Sequence, residues 1–428
     1  MSQKEDVTTQ DTEMEMEKVG YLQLFQQNHN FRRYFFSHII SLFGDWFNIL
    51  AILALLRSMG HDGAGAFGGV FIAKALATLS ILPVGGVVVD AVSRKWVMLL
   101  TDWGRALIVL GMFSVIWFPS PWLLYTLLWL QSALTAFFDP AKRAILPDIV
   151  TEAELPAANA LNAVTWSLML SIGSGLGGLV VELYGWEVAM GVDVLSYLVS
   201  GILLLGVVEP PFEKQVLQGN VLAPLKEGWN YIMSHSKIRG LVSLKMMWGV
   251  MGSASVLLAM LAEGKYKMAS GTMVGVSFLF IARGLGTGIG PIVARWIAKD
   301  RVPVMESMLG YGFVWALVFY APLPFVNSIW AIAILVLLAH LGGATIWVFS
   351  TVRLQQLVPT EIRGRVFSWD LIGYLVMHSF SIWFFGLLID QHGLAPDVAL
   401  ASAGWCLIVP IFIWFRILTK EPNHVNVH

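Results

Sequence analysis

The chain of 428 residues is 57% hydrophobic and only 13% charged, against about 25% charged in soluble globular proteins, which excludes a water-soluble globule and indicates an integral membrane protein. A formal net charge of −1 argues against nucleic-acid binding, and the single cysteine, Cys406, excludes intrachain disulfides and cysteine-based metal sites. The polar, acidic first twenty residues lack the charged and apolar regions of a cleavable signal peptide.

Crossing about 30 Å of hydrocarbon takes roughly twenty apolar residues, and twelve segments meet that length. A tail, 1–33, precedes a first half, 34–208, with spans at 34–57, 66–89, 96–117, 121–139, 158–182 and 187–207. A charged linker, 209–239, follows; within it Leu222, Leu225, Trp229, Ile232 and Met233 share a helical face opposite Lys226 and Glu227, with Pro224 in the first turn. That helix either lies in the membrane interface or packs on the ends of the bundle. The second half, 240–419, has spans at 240–262, 272–298, 304–322, 326–350, 365–390 and 397–419, and a short tail, 420–428, closes the chain. Lysines and arginines crowd alternate loops (Arg32, Arg33, Arg94, Lys95, Lys142, Arg143, the linker, Lys299, Arg301, Arg353, Arg363, Arg365, Arg416 and Lys420). The other loops hold only Arg57, Lys265 and Lys267, so both termini are expected in the cytoplasm.

The two halves share a motif. Phe71–Thr78 reads FIAKALAT and Phe280–Thr287 reads FIARGLGT, placing Lys74 and Arg283 at corresponding points 209 residues apart (74 to 283). Two structural repeats follow, each carrying one cation at the same depth. A charge at the bilayer centre costs about 2.5–3.5 kcal/mol on insertion scales, so each needs a partner, a wet cavity or a function. The candidates are Asp45, Lys74, Asp102, Arg105, Asp193, Lys245, Arg283 and Asp370.

Folding the first two spans about His61 brings Asp45 near the level of Lys74, which makes an intramembrane pair geometrically possible. That pair either serves insertion alone or lines an aqueous cavity in which Asp45 exchanges a proton. Arg283 has no obvious acidic neighbour at its depth, and two cations facing one another suit an anionic or zwitterionic substrate. Asp102 and Arg105, three residues apart near the cytoplasmic end of the third span, read as a local structural pair. Asp193 has Ser196 and Tyr197 as neighbours one turn on, and His38, His340 and His378 are scattered singly without metal-ligand spacing. Gly284, Gly286, Gly288 and Gly290, like Gly173 and Gly177, are spaced for close helix contact; no phosphate-binding loop or convergent catalytic set appears, so neither an enzyme nor a cofactor is expected.

Gly86-Val-Val-Val-Asp90-Ala-Val-Ser-Arg94-Lys95, after the second span, resembles the signature of the major facilitator superfamily at Gly86, Asp90, Arg94 and Lys95, with Ala91 and Ser93 departing from it. Phe137-Phe-Asp-Pro-Ala-Lys-Arg143 with Ala-Ile-Leu-Pro147-Asp, Ala158-Asn-Ala-Leu161, Gly177-Gly178, Glu227-Gly-Trp229 and Gln356-Leu-Val-Pro359 leading to Arg363-Gly-Arg365 resemble its branch of macrolide and siderophore exporters. The resemblance implies an all-α fold of twelve transmembrane helices in two pseudo-symmetric six-helix bundles around a central cavity. It also implies a cytoplasmic charge clamp at Asp90 and proton-driven alternating access. Ser174 stands where antiporters of the superfamily often carry proline in the fifth span, leaving the direction of transport open.

The expected activity is proton-coupled export of amphipathic small molecules from a cell inner membrane. Asp45 takes the proton, Lys74 and Arg283 contact substrate from opposite halves, and Trp46, Trp166 and Asp193 complete the site. The expected partners are a small-molecule substrate, protons and the lipid bilayer, with the chain acting as a monomer. A lipid or lysophospholipid flippase, and a non-transporting sensor or assembly partner on the same fold, stay open as alternatives.

Overall fold

The structure is a computed structural model that describes residues 20–211, 223–299 and 301–420. A short helix, α1 (Tyr21–Gln27), precedes α2 (His29–Ser58), α3 (Ala64–Ala91), α4 (Arg94–Met112, extended by a 3-10 turn at Phe113–Ile116), α5 (Pro121–Ile149) and α6 (Leu155–Leu205). The linker helix α7 (Ala223–Ser234) leads into α8 (Ser236–Trp248), which continues through a 3-10 turn, Gly249–Ser253, into α9 (Ala254–Glu263). Then follow α10 (Thr272–Ala298), α11 (Val302–Tyr320), α12 (Ile329–Leu357), α13 (Thr360–His392), α14 (Pro396–Trp405) and α15 (Ile408–Lys420).

Local chemistry sets several of these boundaries. Asn28 caps α2 by accepting from the Phe31 amide at 2.8 Å, and Ser120 caps α5 just before Pro121, whose fixed φ suits a first helical position. Eleven helical stretches are long and apolar enough to span a membrane. One of them, α6, breaks at Gly185, whose φ of +87° only glycine adopts readily, so it crosses twice and the chain makes the twelve expected crossings. The seventh and twelfth are each two helices in series, α8–α9 and α14–α15.

Helices α2–α6 form one six-helix bundle and α8–α15 the other. Within the first, α2 packs chiefly on α6, and α3 on α5; the bundles meet where α6 faces α10 and α3 faces α13. The glycine series of α10 makes this packing possible. Gly286 and Gly290 lie against the backbone of α12 at Leu337 and Leu341, while Gly284 and Gly288 meet Ser171 and Ser167 of α6. The linker helix packs on the bundle, one of the two alternatives left open by its sequence. Ile232 is buried, the Trp229 and Trp369 rings lie 4.8 Å apart, and Arg365 pairs with Glu227 at 2.5 Å. Leu222 and Lys214 lie outside the described residues.

Candidate functional site

The first bundle holds a buried polar network where four of its six crossings meet: α2, α4, α5 and the second arm of α6. Arg105 of α4, 1% exposed, pairs with Asp102, hydrogen-bonds Ser41 Oγ at 3.3 Å and reaches Asp45 Oδ2 at 3.8 Å. Its guanidinium also lies over the rings of Phe138 and Tyr197, at 4.7 and 4.4 Å. Tyr197 donates to Asp45 Oδ1 at 2.5 Å and accepts from Gln131 at 2.9 Å, and Gln131 in turn accepts from Asn48 at 3.1 Å. Ser200 binds the second oxygen of Asp102. Asp193 is fully buried with its Oδ2 unpartnered, and its Oδ1 lies 3.5 Å from Ser196. Three carboxylates therefore gather about one guanidinium, and of the three Asp45 alone has an exposed side chain, at 20%.

Two expectations meet different outcomes. Asp45 is bound to Tyr197 and Arg105, and no ion pair joins it to Lys74. The reason is packing: α2 turns its polar side to α4 and α6 and touches α3, its neighbour in sequence, only slightly. Second, Asp102 and Arg105 do pair locally, and Arg105 is in addition the hub that ties Asp45, Tyr197, Ser41 and Phe138 together. Sequence reasoning passed over Gln131 and Asn48, uncharged polar residues within apolar runs, although each such residue must find a partner when buried. Asp193, expected at the substrate, is sealed behind Gly44 of α2.

Lys74 is half-buried and makes neither ion pair nor side-chain hydrogen bond among the described residues. Arg283 donates to Ser255 Oγ of α9 at 2.8 Å and has no ion pair among the described residues. Its charge reaches Tyr320, Tyr374, His340 and His378, so polar uncharged and aromatic groups surround it. The two repeats match in detail, since Thr78 donates to the Lys74 carbonyl at 3.1 Å and Thr287 to that of Arg283 at 2.8 Å.

Trp46, beside Asp45, sets its ring edge-on to Trp166 at 6.2 Å and to Phe280 of the second bundle at 6.3 Å. Its indole nitrogen is buried and unpartnered, while Trp166 is 43% exposed. Of the signature after the second span, Arg94 pairs with Asp148, Lys95 donates to the Leu205 carbonyl at 2.9 Å, and Glu209 accepts from the Arg94 amide at 2.9 Å, all within the first bundle. The surroundings of Gly86 and Asp90 lie outside the described residues.

At the ends of the helices away from the linker, the bundles are fastened together. Arg57 at the end of α2 pairs with Glu263 at the end of α9 at 3.5 Å, and Gly68 of α3 lies against Ile382 of α13. Lower down, Gly175 meets Ile281.

Known proteins agree with this architecture. Residues 34–369 match the family model described as Major Facilitator Superfamily. The MFS-type transporter YkuC of Bacillus subtilis (strain 168) is 23% identical over 419 residues, covering 94% of this chain and 96% of its own length. BacE of Bacillus amyloliquefaciens, named for bacilysin export, is 25% identical over 351 residues, covering 80% and 84%. The crystal structure of the nucleoside transporter NupG superposes with a TM-score of 0.69 at 12% identity, over 92% of this chain and all of NupG, a likeness of fold. A helical bundle with twelve crossings, two repeats and a family match over most of its length is a transporter and not an enzyme: the chain belongs to the Major Facilitator Superfamily.

Proposed function

We propose that the protein is a proton-coupled exporter of amphipathic small molecules, with the linker side of the bundle in the cytoplasm. The observation that carries this reading is the pair of unneutralised cations, Lys74 and Arg283, one in each bundle at the same place in the repeat. A buried or half-buried cation without a counter-ion is costly, and an anionic or zwitterionic ligand that bridges the bundles supplies the missing charge. Trp166 offers apolar surface beside it, backed by the buried rings of Trp46 and, from the second bundle, Phe280. The relation to BacE supports export. The basic loops on the linker side support the orientation.

In this reading Asp45 is the coupling group, being the member of the acidic cluster that is both linked to Arg105 and partly exposed. Substrate enters from the linker side, where its charge meets Lys74 and Arg283. A proton arriving from the far side neutralises Asp45, weakens its hold on Arg105 and Tyr197, and returns the empty carrier. Arg94 and Lys95 brace the linker-side ends of α4 to α5 and α6 through Asp148 and the Leu205 carbonyl, with Gly86 and Asp90 as the rest of the gate.

The test is proton flux in proteoliposomes, with a substrate drawn from compounds that become more toxic to cells lacking the protein. Wild-type protein drives proton counterflow, and Asp45→Asn abolishes it; counterflow that survives this substitution defeats the assignment of Asp45. Full activity after Lys74→Ala together with Arg283→Ala defeats the substrate site.

A further inference from the structure

Helices α3 and α10 occupy equivalent places in the two repeats, and both begin abnormally. Their N-caps are Gly63 and Gly271, 208 residues apart (63 to 271), and neither offers a side chain to the exposed amides of the first turn. Each helix is capped from the opposite bundle. Asp390 of α13 accepts from the Ala64 amide at 2.9 Å and from the Gly65 amide at 2.7 Å, at the start of α3. Glu182, near the end of the first arm of α6, accepts from the Met273 amide at 2.9 Å at the start of α10. These carboxylates are also 208 residues apart (182 to 390), so the two caps are images of one another under the two-fold relation of the bundles.

The glycines are what let the carboxylates in. A side chain at Gly271, where φ is +120°, would strike Glu182, and one at Gly65 would come within 2.9 Å of Asp390. A negative group at a helix N-terminus is also favoured by the helix dipole.

We infer that Glu182 and Asp390 form a symmetric clasp that caps the two opposing helices in trans and holds the far side of the transporter shut. This rests on the alternating-access part of the proposed function. Opening the far side strips both helices of the only side-chain caps they have among the described residues, while opening the linker side leaves them in place, so the clasp biases the carrier toward the state that loads from the linker side.

The test uses the full chain with Cys406→Ser in nanodiscs, spin-labelled in pairs at exposed positions. His61→Cys with Ala395→Cys, and Tyr184→Cys with Ser270→Cys, report on the far side, and Glu152→Cys with Arg301→Cys reports on the linker side. A steric control, Gly68→Trp, wedges α3 from Ile382 without touching either carboxylate. Glu182→Gln and Asp390→Asn are each expected to raise the ratio of far-open to far-closed molecules about three- to tenfold, as loss of a cap does. The double variants, including Glu182→Ala with Asp390→Ala, multiply the two effects as the linker-side pair closes in step. If the wedge opens the far side but neither the single nor the double carboxylate variants shift the distances, the clasp is overturned and alternating access stands. If the wedge and the carboxylate variants all leave both sides unmoved, the two-state reading falls and the clasp falls with it.

Discussion

The two bundles treat their matching cations differently. Lys74 lies in a bundle that also buries Asp45, Asp102, Arg105 and Asp193, whereas Arg283 lies among serine, tyrosine and histidine with no acid paired to it. Shifting the first set by the 208 residues that separate the N-caps of α3 and α10 lands on Ser253, Gly310, Phe313 and Ala401, none of them charged. The two repeats thus differ in charge: the first bundle gathers three carboxylates and an arginine, and the second holds Arg283 against a serine hydroxyl. The second bundle keeps its own buried ions elsewhere, as Lys245 paired with Asp370 between Trp347 and Phe367, where the charges cancel and no carboxylate is left over.

Substitutions at matched positions sharpen this contrast. The largest effect is expected from Arg105→Leu, which strands Asp102 and Asp45 without a cation and costs about 3–5 kcal/mol, read as lost folded yield and a lower unfolding midpoint in detergent. Phe313→Leu at the corresponding place costs less than about 1.5 kcal/mol, since it exchanges one apolar side chain for another; equal losses would erase the distinction. Next, Lys245→Met is expected to cost about 3 kcal/mol because it leaves Asp370 buried alone, while adding Asp370→Leu restores most of the stability, marking that pair as a balanced structural element. Tyr197→Phe removes the donor to Asp45 and the acceptor for Gln131, a loss of about 2 kcal/mol that leaves the fold intact and alters the pH profile of transport. The smallest stability change, within about 1 kcal/mol, is expected for Lys74→Ala, which breaks no ion pair; a large loss of transport with so small a change in stability would mark it as a ligand contact.

Much of this fold is legible in the sequence because the bilayer imposes a length on each apolar run, and the FIAKALAT and FIARGLGT copies set the two-fold spacing directly. Only the fifth and sixth spans merge, at Gly185, since a single left-handed glycine needs no polar loop to reverse the chain. The site was harder to read. Connectivity makes an Asp45–Lys74 pair possible, but the choice of partner belongs to the packing of α2 on α6, which connectivity does not reveal. Asn48 and Gln131 gave no charge signal, and Glu182 and Asp390 look like ordinary solvated acids until the opposite bundle supplies amides for them to cap.

The turn at Gly185 has a practical consequence. Because α6 doubles back without an intervening loop, that corner exposes almost no free chain to a protease, an antibody or an inserted tag. Surface mapping of this face therefore belongs at Met59–Gly63 and Gly264–Gly271, where true loops emerge, and a reporter spliced at Gly185 would disrupt the helix pair it was meant to locate.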